Sequence, residues 1–223
     1  MLFLRTDAKL GVYIWSDFVY NRVIFIVLSI HERNSRAGRT ARDGGRNMTR
    51  TNAREIAVHL TFELSFTNQT ADELLDTALT RATFALIGEE EPLYAEYPNA
   101  KQREYISELV RGVYFHCPEL DDYISRYAIG WTFSRIPRIA VAVMRVAMYE
   151  ILYMQDVPNA AAINEALEIA KGYETPEVVS FINGILGSFV RKESIPERVS
   201  AFQAEDIFDA EPATAEDAEA PQA

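Results

Sequence analysis

The stretch Pro137 to Gln155, PRIAVAVMRVAMYEILYMQ, restricts the fold more than any other part of the chain. From Ile139 to Met154 only Arg145 and Glu150 interrupt it, and its apolar residues fall on every side of a 3.6-residue wheel. A helix of that kind has no face for solvent and must be wrapped by other elements. A membrane span asks for about 20 residues with few or no charges; this run is shorter and holds an arginine and a glutamate, so a buried central helix is predicted. Arg145 and Glu150 lie five apart and do not share a helical row. Each has to reach the rim of the bundle or find a partner on another helix.

Around this hub the periodicity predicts six further helices and no strand. Asn52 with Glu55 reads as a capping box opening helix one, Ala53 to about Phe66. Its apolar residues make two nearly opposite rows, Ile56–Leu60–Leu64 and Val58–Phe62–Phe66, so it needs neighbours on both sides. Thr70 with Glu73 opens helix two, which carries Leu74, Leu75, Ala78, Leu79, Ala82 and Leu86 inward and stops at Gly88. Asn99 with Gln102 opens helix three, predicted to end before Pro118, and a shorter helix, PELDDYISRYAIG, follows. After the hub come AAAINEALEIAK, capped by Asn159 with Ile163, Ala166, Leu167 and Ala170 inward, and a last helix opened by Thr175 and Pro176. That helix turns Val178, Ile182, Ile185, Leu186 and Phe189 inward and ends on Arg191 and Lys192, the favourable charge for a helix C-terminus.

Charge is distributed unevenly. The 223 residues carry 22 basic and 33 acidic side chains, a formal charge of -11, which argues against nucleic-acid binding over the whole surface. Yet seven arginines (33, 36, 39, 42, 46, 50 and 54) crowd one segment, whereas after Lys192 nine acids face the single base Arg198. Residues 1–48 are expected to be a disordered extension or an upstream start unused in the cell. Their apolar run is too short and too interrupted to span a bilayer, and its charges follow it, the reverse of a signal peptide; a short membrane anchor is the rival reading. Residues 193–223 are expected to be an acidic disordered tail that solubilises the chain or competes for the arginines. Cys117 is the only cysteine, which excludes an internal disulfide and suits a reducing cytoplasm.

No catalytic constellation is visible. Adjacent His116 and Cys117 lack a third orienting group, supply too few ligands for zinc, and no glycine-rich phosphate loop occurs. No enzyme activity, metal or cofactor is expected. Binding remains: Arg50 and Arg54 stand at the start of helix one, and the row from Arg54 leads to Phe62, cations for phosphates with an aromatic for a base. The same spacing fits a core Phe62 between two bundles with solvated arginines.

Several segments in order, AREIAV (53–58), ELVRGV (108–113), MRVAMYEI (144–151), DVPNAAAINEALEIAK (156–171) and FINGIL (181–186), resemble the NusB family of bacterial transcription antitermination factors. The resemblance covers Thr49 to Lys192. It implies an all-α fold of two packed sub-bundles that binds the boxA element of ribosomal RNA leaders with the small-subunit ribosomal protein NusE. That complex joins the RNA polymerase antitermination assembly; a homodimer is left open. By the same resemblance Arg50, Arg54 and Phe62 are the RNA-binding candidates, and Glu177 and Phe181 the partner-binding ones. The chain departs from the family's unbroken arginine cluster, with Thr51 and Asn52 thinning the charge. Two alternatives stand beside this reading, a non-catalytic relative of the RNA-binding domain of ribosomal RNA methyltransferases and a pure protein-interaction module.

Overall fold

Thr49 starts the first helix. Its backbone is extended (φ -76°, ψ 161°) and its hydroxyl accepts from the Asn52 N–H at 3.1 Å, which makes it the N-cap of α1 (Arg50–Leu64). The cap therefore lies three residues ahead of the expected one. Asn52 and Glu55 sit inside the helix, and Glu55 accepts from the Tyr173 hydroxyl at 2.6 Å instead of closing a capping box. The computed structural model describes residues 48–89 and 91–197; the expectations for residues 1–47 and for the tail beyond 197 lie outside them.

The segment read as one helix from Thr70 to Gly88 is two, α2 (Ala71–Ala78) and α3 (Arg81–Ile87). Thr70 and Glu73 form the expected capping box. Thr80 then takes an extended backbone and accepts from the Thr83 N–H at 3.1 Å, capping a new helix. Restarting the helix rotates its inner face, so Phe84 and Ile87 are buried while Ala82 and Leu86 face outward, Leu86 at 67% exposure.

The opposite correction applies next. α4 (Ala100–Tyr127) is one helix of 28 residues that runs through Pro118, after the expected Asn99–Gln102 box. Proline removes one N–H from the ladder. Pro118 and Tyr114 both lie on the exposed side, where water can take up the carbonyl left without its donor. On the other side Leu109, Val113, Leu120 and Ile124 are buried on both sides of the proline and keep the axis continuous.

A turn through Gly130, whose φ of 82° suits a residue without Cβ, and a short 3-10 segment (Phe133–Arg135) lead to α5 (Arg138–Tyr153). Every residue of α5 from Ile139 to Ile151 except Arg145 is buried, as the hub reading requires. Its neighbours are α1, α4, α6 and α7. Against α4 the approach is close because position 112 is glycine: a Cβ there would lie 2.0 Å from the Tyr149 ring. Both internal charges of α5 find partners on other helices. Arg145 grips both Asp121 oxygens at 2.8 Å, and Glu150 faces Arg54 and Tyr105.

α6 (Asn159–Ala170) buries Ala162, Ala166, Ile169 and Ala170, with Ile163 and Leu167 half-buried. Its N-cap is Pro158; Asn159 is the first helical residue and gives its Nδ2 to the Pro196 carbonyl at 2.9 Å rather than capping. α7 (Pro176–Lys192) buries Ile182, Ile185, Leu186 and Phe189, with Val178 half-buried. The described residues thus hold seven α-helices and no strand, and α5 joins α1 and α4 to α6 and α7. No helix among them is long and apolar enough to cross a membrane.

Candidate nucleic-acid and partner interface

The arginines at the start of α1 are placed by the polar surface of α5 and α6. Arg50, in the first turn, reaches Asp156 at 2.7 Å, and its guanidinium lies 4.7 Å from the centre of the Tyr105 ring. One turn on, Arg54 is 4% exposed. Its Nε lies 2.9 and 3.1 Å from the two Glu150 oxygens, Nη2 reaches Glu150 at 3.0 Å, and Nη1 reaches Glu165 at 3.0 Å. Burial alone would lower the Arg54 guanidinium, but Glu150, Tyr105 and Glu165 together hold it above its ordinary range. Glu150, fully buried at 0% exposure, also accepts from the Tyr105 hydroxyl. Thr51 adds a hydrogen bond to Glu165 at 2.6 Å.

Arg54 is therefore a clamp between α1, α5 and α6, and it has no guanidinium face left for a phosphate. Phe62 is corrected in the same way. It is 4% exposed, two turns along α1 from Arg54, so the two do not form one corner, and with Val58 it faces the core. The cation-and-aromatic pair that does reach the surface is one turn further on. Phe66, just past the end of α1, is 44% exposed, its ring lies 4.8 Å from that of Phe62, and the Arg138 guanidinium stands 4.8 Å from its centre. Arg138 is fixed there by donating to the Ser65 carbonyl at 3.0 Å. The Val58–Phe62–Phe66 row carried the signal for Phe66; nothing local in the sequence pairs it with Arg138, which lies 72 positions away.

Beside this pair a groove of about 470 Å³ opens between the end of α1, the middle of α4 and the start of α5. Tyr114, Cys117, Phe133 and Arg145 are among its walls. Glu177 and Phe181 lie on the first turns of α7. Glu177 is exposed, and hydrogen bonds from Thr175 and from its own backbone hold its carboxyl below the ordinary range. The Phe181 ring lies 5.2 Å from that of Trp131, which is 52% exposed next to the exposed Ile129. Glu177 and Phe181 thus edge an apolar surface patch whose other half comes from the α4–α5 turn, a neighbour that no local sequence pattern announces.

His116 and Cys117 turn to separate partners. His116 meets Glu119 at 2.9 Å and stacks near Tyr153, while Cys117 points toward Asp121 at 3.8 Å. Burial pushes the Cys117 thiol up, away from the thiolate a nucleophile needs.

The model of the NusB family matches residues 51–191, from the first turn of α1 to the last of α7. The chain belongs to the NusB family. It is 38% identical over 144 residues to the transcription antitermination protein NusB of Acetivibrio thermocellus, spanning 65% of this chain and 90% of that one. To the protein of the same name from Symbiobacterium thermophilum it is 37% identical over 145 residues, with 65% and 90% covered. Among solved structures, T. maritima NusB is similar at a TM-score of 0.54 and 29% identity, over 66% of this chain and 94% of that one. A structure described as antitermination factors NusB and NusE in complex with dsRNA is similar at 0.51, over 64% and 96%; at 19% identity it speaks for the fold alone. The NusB-family body thus coincides with the seven helices, and the arginine-rich and acidic ends lie on either side of it.

Proposed function

We propose that this NusB-family protein is a cytoplasmic transcription antitermination factor that binds boxA leader RNA of ribosomal RNA operons together with the ribosomal protein NusE. In that assembly it helps RNA polymerase read through terminators. The match of the NusB family to all seven helices carries the reading. Residues 49–192 are the binding body, with the extension ahead of it and the acidic tail behind. Arg50 and the arginines that precede it meet phosphates, while Arg54 acts indirectly, by holding the start of α1 against α5 and α6. The aromatic surface sites are the exposed Phe66–Arg138 pair and the patch edged by Glu177 and Phe181. Between Thr49 and Lys192 the body carries 13 bases and 20 acids, so a basic protein partner is favoured on charge and supplies much of the attraction for RNA.

The test is fluorescence anisotropy with a boxA RNA oligonucleotide and a scrambled control, with and without NusE. Specific binding that NusE strengthens is the expected result. Equal affinity for boxA and the scrambled strand in the presence of NusE would overturn the reading. A second reading is favoured by the full engagement of Arg54 with carboxylates: a protein-interaction module that meets NusE and has no RNA contact of its own. In that case NusE binds this chain, and RNA crosslinks only to NusE.

A further inference from the structure

The outer side of α4 and the end of α5 build an aromatic surface that neither the core nor the RNA-binding reading uses. Its rings follow one another: Tyr149 lies 5.1 Å from Tyr153, Tyr153 lies 4.1 Å from His116, and His116 lies 5.0 Å from Phe115. Exposure rises along the row, from 9% at Tyr149 through 38% at Tyr153 to 79% at Phe115. The row thus begins under α4 and ends in solvent. Contiguous apolar surface of this kind marks a place of contact.

Beside the rings stand hydrogen-bond acceptors. The Tyr153 hydroxyl donates to Glu119 Oε2 at 2.7 Å and His116 Nδ1 lies 2.9 Å from the same oxygen, so Oε1 takes no hydrogen bond from the described residues. The Glu119 side chain is 42% exposed, and Tyr153, with His116 after it, holds the carboxyl below its ordinary range. It stands there charged. Next to it Pro118 has no N–H for the Tyr114 carbonyl, which leaves a second acceptor on the same outer side. Three turns back along α4, Glu108 lies near Tyr149; burial, then Asp156 and Glu104, raise its carboxyl, and Arg50 offsets them only in part. The cations of α4 beyond Glu108 are engaged elsewhere, Arg111 with Asp72 at 2.6 Å and Arg126 with Asp122 and Glu193.

Ring faces are negative, and with a carboxylate and a carbonyl beside them they attract a cation that also donates hydrogen bonds, a guanidinium or an ammonium. The same carboxylates repel phosphates. Glu108 and Glu119 are eleven positions apart, which is about 16 Å along a helix, a distance that an extended chain covers in about five residues. We propose that this strip of α4 and α5 docks an extended basic segment of a protein partner, one cation resting on the Phe115 ring and Glu119 Oε1 and a second, about five residues away, on Glu108. The excess of acids between Thr49 and Lys192, 20 against 13 bases, draws such a segment in. Docking here requires no RNA, so it stands or falls independently of boxA binding.

The test is a titration of the full-length, isotope-labelled protein, free of RNA, with the end-blocked peptide Arg-Gly-Ser-Gly-Ser-Arg, followed by heteronuclear NMR. The ring signals of Phe115 and Tyr153 and the amide of Glu119 are expected to move and saturate, and the affinity to fall as salt rises from about 50 mM. Phe115→Ala removes a ring that lies outside the core, and Glu119→Gln removes one charge. Each is expected to weaken binding, read at Tyr153, about threefold, the size of one exposed cation–π contact or ion pair. Asp76→Asn, on the exposed side of α2, changes the net charge as much as Glu119→Gln does and is expected to leave the affinity as it was. Unmoved Phe115 and Tyr153 signals, or equal weakening by Asp76→Asn and Glu119→Gln, would overturn the proposal. So would an oligouridylate that moves the same rings at lower concentration than the peptide, since the surface would then be one for stacking bases.

Discussion

Glu150 has two donors aimed at it inside the protein, the Arg54 guanidinium and the Tyr105 hydroxyl, and water reaches none of the three to any extent. Removing one member of such a group leaves a buried charge without its counter-charge, which typically costs about 3–5 kcal/mol. Arg54→Ala is therefore expected to lower stability by that order in urea denaturation, and Arg54→Ala combined with Glu150→Leu to recover a good part of it. An Arg54→Ala loss under about 1 kcal/mol would mean that the clamp contributes no more than a surface ion pair. The sequence made clear that Glu150 needed a partner on another helix, because a carboxylate inside an all-apolar helix has no other resort. It did not say which cation, since a partner 96 positions away leaves no local trace.

Glu63 is the second buried acid whose environment makes a prediction. Burial pushes its carboxyl up to about 7. In the unfolded chain it titrates near the ordinary value of about 4.3, so between those values the native state holds a proton that the unfolded state has released. Stability from this group is complete below about pH 4 and falls as pH rises toward 7, by about 4 kcal/mol at most. Glu63→Gln should accordingly leave stability near pH 4 unchanged and raise it at pH 8. Urea midpoints at the two pH values check this, and an equal change at both would show that the gain does not come from the carboxyl's ionisation.

At the scale of elements, the sequence errs where a local signal competes with packing. Thr80 and Thr83 offered a helix start, but the apolar residues on either side kept a helical period and masked it; the hydroxyl cap wins because Phe84 and Ile87 then reach the core. Pro118 offered a helix stop, and there packing wins, since the ring faces solvent while Leu120 and Ile124 continue the buried stripe of α4. The interior proline still removes a hydrogen bond at a cost of up to about 3 kcal/mol relative to alanine. Pro118→Ala is expected to stabilise the protein by a sizeable part of that, with unchanged helix content by circular dichroism. Destabilisation instead would show that α4 is bent there to fit α5 and that the proline sets the bend.

For the molecule as a whole, the all-helical class, the buried hub and the family were legible, because a helix apolar on all sides and the DVP…INEALEIAK…FINGIL order both survive in the linear chain. The candidate site was legible only as a charge distribution. Whether an arginine at the start of α1 faces a phosphate or a carboxylate depends on α5, α6 and the loop between them, which supply Glu150, Glu165 and Asp156. That difference separates the two arginines by experiment. Each phosphate contact removed from a single-stranded complex should flatten the slope of log affinity against log salt by about 0.7. Arg46→Ala, ahead of the buried body, is expected to do so with an unchanged urea midpoint. Arg54→Ala is expected to lower the midpoint and, measured at a temperature where the variant stays folded, to leave the slope as it was, because its charge is already neutralised by the protein. Should Arg54→Ala flatten the slope as much as Arg46→Ala, the Glu150 and Glu165 carboxylates must release Arg54 when RNA binds, and the clamp would belong to the free state alone.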